Sequence, residues 1–469
     1  MMMRLNRNII RKGSKIDRHL EQQYGSKLFT YQQIFGMLLP IVLDNLFITL
    51  ISLLTTAMIS SSSQESVSAV SMVNPLAMMM WAIISAISVG GTVIVAQYKG
   101  SGNSGKIRDA AGQVILATFL ISVLGCVILV VFADPLINWM FGVADPVVKA
   151  KARGYLIGLA ISQIFLAIYT GAFGIFRGIG ETKICLKLTI VINLIHLCAS
   201  VLFLNVMKLD IIGTSLSLII ARLIGSVMAI WLLMNSKSVL RLYPKNILLI
   251  NKRVFKSVFN LGIPYALEQI FFNGGSMIVQ TYLVQLGTIS IAANAIANSS
   301  FSMLYTVGGS VGVLATTIVG QSFGAQEMDL TKRYGAKMTR LGTVVSVLSI
   351  IVLYPCMPVI LKLYQAPEET LSVIYQLLLI TIIPMPFFWS CSNIMPGVLR
   401  ATGDMTFVSL VSLTTMWMIR VGLGYVFAIT LGFGISGAWI CMGIEWAVRS
   451  VIFYLRYRSD VWLKKKAIE

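Results

Sequence analysis

Apolar stretches long enough to cross a bilayer, roughly 20 residues each, recur twelve times along this chain. They fall at about 33–60, 67–97, 111–132, 152–176, 184–205, 211–235, 256–286, 290–321, 336–357, 372–398, 406–430 and 434–457. Only short polar segments separate them, which leaves no room for a soluble domain. Charged residues make up 12% of the 469, about half the share of a soluble domain, and the mean hydropathy is +0.83. The fold class that follows is an all-α polytopic membrane protein with twelve transmembrane helices.

Charge placement sets the expected orientation. The N-terminal tail carries Arg4, Arg7, Arg11, Lys12, Lys15, Arg18 and Lys27, and the stretch 236–256 carries Lys237, Arg241, Lys245, Lys252, Arg253 and Lys256. With twelve spans, both share one side with Lys99, Lys106, Arg177, Arg400 and the C-terminal Lys464, Lys465 and Lys466. The opposite loops hold only Lys149, Lys151, Arg153, Lys208 and Lys362. The positive-inside rule therefore puts both termini in the cytoplasm of a bacterial plasma membrane. A net charge of +19 then reflects topology and contact with membrane lipids, and it is no argument for nucleic acid. The first 30 residues lack the apolar core of a cleavable signal. The six cysteines sit singly within spans and read as small buried packing residues, with no metal-ligand spacing.

The chain also repeats itself. Pro40 in "LLPIVLDN" matches Pro264 in "GIPYALEQ", 224 residues on, and Asp44, Asn45 and Phe47 then match Glu268, Gln269 and Phe271. At the same offset Asn74 matches Asn298, Gln97 matches Gln321, Gly100 matches Gly324 and Gly213 matches Gly437. "RGIGETK" at Arg177 echoes "RATGDMT" at Arg400 with a slip of one residue. A constant offset over this length means duplication. The expected organisation is a tail at 1–32, a six-helix bundle at 33–235, a cytoplasmic linker at 236–255, a second bundle at 256–457 and a tail at 458–469. Six is even, so a pseudo-two-fold axis along the membrane normal relates the bundles. A monomer with a central seam between two such bundles is the architecture of alternating access.

The sequence resembles the multidrug and toxic compound extrusion family. The residues that carry the likeness are the two proline-bearing helices, "GTVIVAQYKG" and "ATTIVGQSFGA", "FRGIGETK" and "LRATGDMT", and the C-terminal "WMIRVGLGYVFAITLGFGISGAW". The resemblance implies a secondary active antiporter that exports small amphipathic, cationic compounds in exchange for Na⁺ or H⁺, with no other cofactor and no enzymatic activity. It does not supply the coupling site. Many members carry an aspartate fifteen residues after the first-helix proline, where this chain has Thr55, or a glutamate eight residues past the seventh-helix proline, where it has Phe272. The tenth-helix and fifth-helix acids align near Trp389 and Ser200.

Candidates must come from the residues themselves. A charge near the bilayer centre costs about 3 kcal/mol, so a carboxylate there is kept for a reason. Asp44, Glu268 and Glu445 are the intramembrane acids. Glu445 has Arg449 one turn on and reads as structural. Asp44 and Glu268 each lie one turn past a helix-bending proline, Pro40 or Pro264, and are the coupling-cation candidates; a buried polar lock is their bland reading. Asn45, Gln269, Asn273, Gln280, Asn294 and Asn298 are candidates for a polar cavity lining. Arg420 is expected to sit in a structural ion pair, with neutralising Glu268 or binding an anionic group as its functional readings, Arg177 to anchor its loop through an acid such as Glu181, and His196 to be a hydrogen-bonded helix residue. The rival function is a lipid-linked oligosaccharide flippase of the same superfamily, which calls for more cavity arginines than Arg222, Arg420 and Arg449. A membrane enzyme has no catalytic cluster to rest on, with His19 and His196 the only histidines.

Overall fold

The computed structural model describes residues 14–60, 64–142, 145–235, 241–363 and 367–465. Its frame is twelve long helices, six per half. In the first half α1 is Tyr31–Ser60, α2 Gln64–Gly100, α3 Ser104–Val131, α4 Pro146–Ile179, α5 Thr182–Val206 and α6 Asp210–Met234. In the second, α7 is Lys252–Val284, α8 Thr288–Gly324, α9 Met328–Leu353, α11 Met405–Thr430 and α12 Gly434–Arg458. Between them α10 is broken, with Glu368–Ile382 bent by 42° into Met385–Ala401. Pro384 stands at the break, where its missing N–H removes a helix bond. The duplication is kept to the residue: α2 and α8 start and end 224 positions apart, and so do α6 and α12.

Ten of these helices are apolar enough to span by composition alone, and the bent α10 makes eleven. The twelfth is α7, as long as the others at 33 residues but carrying Glu268 and a polar stripe. It begins at Lys252, four residues ahead of the expected boundary. Its stripe of Gln269, Asn273 and Gln280 recurs at helical spacing, which lowers hydropathy without breaking the helix.

The two bundles exchange their entry segments. Ile34, Leu38 and Ile41 at the start of α1 pack in one core with Val311, Ile318, Tyr334 and Val398 of the second half. At the matching place in the other half, Val254, Val258 and Leu261 of α7 pack with Val95, Val114 and Phe176 of the first. Further along, each helix also meets its own bundle, through Asp44 with Arg177 on α4 and Glu268 with Arg400 on α10. A short helix precedes each entry: Lys15–Tyr24 sits ahead of α1, and Pro244–Leu248 ahead of α7.

The cysteine expectation holds for Cys126, Cys185 and Cys441, which are buried, but not for Cys198 and Cys356, which are exposed. Those two sit on outward helix faces, where a small apolar side chain costs little.

Candidate functional site

The two symmetry-related carboxylates are buried, and each faces an arginine. Asp44 is 1% exposed and accepts from Arg177 at 3.0 Å. Glu268 is 5% exposed and takes Arg400 on both oxygens, at 2.7 and 2.8 Å, with Ser409 Oγ also donating at 2.8 Å. Tyr265 lies under the Arg400 guanidinium, 4.1 Å from ring centre to charge. The sequence missed these partners. Arg177 and Arg400 open the repeated "RGIGET" and "RATGDM" turns, and Glu181, the expected partner, is exposed. Equal spacing was the available signal, since each arginine trails its carboxylate by almost the same distance in both halves.

The pairs are not equivalent. Glu268 has both oxygens engaged, whereas Asp44 Oδ1 is buried without a hydrogen-bond partner among the described residues. An unpaired carboxylate oxygen out of water is costly unless a proton or cation reaches it. Arg177 also keeps more contact with solvent than Arg400, 24% against 12% of its side chain. Asp44 is therefore the carboxylate with spare valence.

The same turns close the seam between the bundles. Gly180 and Gly403 take left-handed backbone, at φ +88° and +102°, and cap the ends of α4 and α10. The carbonyls freed at those ends accept from the opposite bundle. Gln321 Nε2 donates to Gly178 O at 2.8 Å, and Gln97 Nε2 donates to Ala401 O at 2.8 Å. Gly100 and Gly324 let α2 and α8 meet: a Cβ on either would strike the backbone carbonyl of Gln321 or Gln97 respectively. Thr317 Oγ1 adds a bond to Arg177 O at 3.0 Å. "VAQ" and "VGQ" are reciprocal clasps, each reaching into the other half.

Away from this basic end the helices present polar faces. Asn273, Gln280 and Asn298 are exposed, and Asn74, the twin of Asn298, is exposed too. Asn294 accepts from Asn298 and from Trp439 Nε1, both at 3.0 Å. Asn45 instead donates across the seam to Ser310 at 2.9 Å, and Gln269 is partly buried. The six amides thus do not converge on one point. Asn45 stands on α1, and the other five line α7 and α8.

Arg420 does not meet Glu268. It holds Glu445 at 2.6 Å, and Arg449 holds the other oxygen of Glu445 at 3.2 Å. Glu445 is fully buried, so the triad leaves one positive charge in the second bundle. In the first bundle Arg222 donates to Ser162 Oγ at 2.6 Å, while Asp210 pairs with Lys151. His196 Nε2 has no hydrogen-bond partner among the described residues, so the expected hydrogen bond is not made at that nitrogen.

Comparison with known proteins agrees with this geometry. The family model MatE matches residues 40–202 and, separately, 264–426. An uncharacterised transporter of Bacillus subtilis (strain 168), YisQ, is 25% identical over 438 residues, covering 92% of this chain and 95% of its own. A probable multidrug resistance protein of the same organism, YoeA, is 24% identical over 455 residues, covering 95% and 97%. A crystal structure of MATE in the bent conformation matches with TM-score 0.84 at 15% identity, over 96% of this chain and 98% of that one. An outward-facing conformation of a multidrug resistance MATE family transporter gives 0.81 at 16%, over 92% and 96%. One model fits both halves, transporters align with nearly the whole chain, and the chain belongs to the MatE family, the multidrug and toxic compound extrusion transporters.

Proposed function

We propose that this protein is a monomeric secondary active antiporter of the bacterial cytoplasmic membrane. It exports small amphipathic, cationic compounds in exchange for Na⁺ or H⁺, both termini lying in the cytoplasm. The observation that carries the reading is the pair of reciprocal clasps. Contacts made of amides, carbonyls and glycines can be exchanged for water when the bundles part, whereas each bundle keeps its own buried ion pair. Rigid bundles joined by a separable seam are what alternating access requires.

Asp44 supplies the coupling. Its free Oδ1 and its Arg177 partner set up a three-way competition among arginine, coupling ion and cationic substrate. An ion or proton on Asp44 removes the negative charge that a cationic substrate uses, so the two weaken each other's binding by equal factors. Glu268 is already saturated by Arg400 and Ser409 and acts as the lock of the second bundle. Polar but uncharged faces at Asn273, Gln280 and Asn298 offer substrates hydrogen bonds without demanding one shape.

Purified protein in proteoliposomes, with Na⁺ and H⁺ gradients imposed separately, tests the function. Uptake of ethidium against its gradient under one of the two is expected; uptake under neither refutes antiport of cations. Orientation has its own test. Single cysteines at 104 and 245 are expected to react with impermeant maleimide from the cytoplasm and one at 288 from outside, and a single reversal breaks the topology. The outer loop position 62 lies outside the described residues.

A further inference from the structure

The entry segments occupy matching sites on the two bundles, and the two sites have opposite chemistry. Ahead of α7, the short helix Pro244–Leu248 seals against α3. Asn246 Nδ2 donates to Asp109 at 2.9 Å, and Gln113 Nε2 donates to Asn246 O at 3.2 Å and to Leu249 O at 3.0 Å. A glycine, Gly112, lets the backbone of Asn246 come into contact. Ahead of α1, 224 residues earlier, Gln22 stands for Asn246, and on α9 Arg333 and Lys337 stand for Asp109 and Gln113. The acid and amide that close the first site have become two cations in the second.

The second site is correspondingly open. A cavity of about 400 Å³ lies between the segment leading into α1 and the start of α9, and its walls include Gln22, Lys27, Arg333, Lys337, Glu327 and Asp329. Arg333 and Lys337 are one helical turn apart, a spacing at which like charges repel. Lys27 adds a third cation from the other side. Among the described residues none of these three makes an ion pair, and neither does Glu327 or Asp329. The first turn of α9, with its free backbone N–H groups, forms part of the wall. Two exposed apolar side chains, Leu28 and Met328, adjoin it at the end of α9 that meets the basic face.

We propose that this cavity binds the headgroup of an aminophospholipid such as phosphatidylethanolamine. The phosphate bridges Arg333, Lys337 and Lys27, and the primary ammonium meets Glu327 and Asp329. Leu28 and Met328 meet the start of the acyl chains. The site needs both signs of charge because its own acids and bases do not pair with each other. Its walls come from the segment leading into α1 on one side and from α9 of the second bundle on the other. The bound lipid therefore ties the entry segment to the bundle that receives it at the basic end.

The test uses the full-length protein in nanodiscs of phosphatidylcholine doped with phosphatidylethanolamine or phosphatidylglycerol, with lipid retention read by native mass spectrometry and stability by thermal unfolding. One phosphatidylethanolamine is expected to be retained per chain, with a rise in unfolding temperature that the other two lipids do not match. Arg333→Gln with Lys337→Gln is expected to cut retention at least about ten-fold, and Glu327→Gln to erase the preference over phosphatidylglycerol. A graft of the sealed site, Arg333→Asp with Lys337→Gln and Gln22→Asn, keeps the fold testable: it is expected to be as stable as the parent and to bind no lipid. Soluble phosphoethanolamine at millimolar concentration separates headgroup from lipid, and it is expected to compete weakly. Equal retention of all three lipids, or retention unchanged in the graft, overturns the proposal. Retention of phosphatidylglycerol as strong as that of phosphatidylethanolamine overturns the ammonium contact.

Discussion

Asp44→Asn is expected to abolish ion-driven efflux while the protein stays folded, and Glu268→Gln is expected to do the reverse, weakening the fold first. The two positions are twins in sequence, so the contrast rests on their surroundings. Asparagine at 44 keeps a hydrogen-bond acceptor for Arg177, whose side chain retains 24% of its exposure and can turn to water. The stability lost is that of a charged hydrogen bond, about 1.5–3 kcal/mol. What disappears is the charge on which ion and substrate compete. Efflux then falls to the passive rate, and substrate affinity no longer changes when Na⁺ or pH is varied. At 268 the partner is Arg400, held on both carboxylate oxygens and stacked on Tyr265. Glutamine offers one acceptor where two carboxylate oxygens stood and leaves the buried Arg400 charge uncompensated, which costs about 3–5 kcal/mol. Glu268→Gln should therefore show a clear drop in unfolding temperature, with residual transport that still responds to the ion. Parental efflux and ion response in Asp44→Asn would make Asp44 structural. Unchanged stability in Glu268→Gln would remove the distinction between the two.

Much of the frame was legible in the sequence because two periodicities were strong. The twelve apolar runs are a direct consequence of bilayer thickness, and the 224-residue offset survived in glycines, prolines and amides that backbone geometry requires. Pairings were less legible. Asp44 and Arg177 lie 133 residues apart, and nothing local to either marks the other. Helical spacing did find Glu445 with Arg449, and Arg420 was legible as a structural ion-pair residue, yet its partner on another helix was not: it completes the Glu445 triad and does not reach Glu268. The crossing of α1 and α7 between bundles was invisible for a similar reason. Ile34 and Val258 look like ordinary span residues, and only packing tells which core receives them.

The clasps give the largest conformational prediction. Gly100 and Gly324 touch the carbonyls of Gln321 and Gln97 across the seam, and the atom each would meet is backbone, fixed within the last turn of a long helix. A methyl group at either position cannot be accommodated by a side chain turning aside; the helices have to move apart. Overpacking of this kind costs about 1–3 kcal/mol, which shifts the balance between closed and parted seams by about 5- to 150-fold. Gly324→Ala is expected to lose most of its transport while remaining folded, because the parted state buries no strained contact. Gly100→Ala is expected to match it, since the contact is reciprocal, and the double variant to add less than the sum, because the first substitution has already opened the seam. Gly105→Ala is the control: it lies on the same face, and its nearest neighbour across a new Cβ is Asn103 Oδ1 at 3.5 Å, an ordinary contact. Spin labels at Asn103 and Met328 report the seam directly, and their separation is expected to lengthen in Gly100→Ala and Gly324→Ala but not in Gly105→Ala. The same lengthening should raise cytoplasmic labelling of a cysteine placed at Thr317, which the closed seam buries completely. If Gly324→Ala transports at the parental rate with an unchanged separation, the clasp is not the gate, and the two repeated motifs close their helices for structural reasons alone.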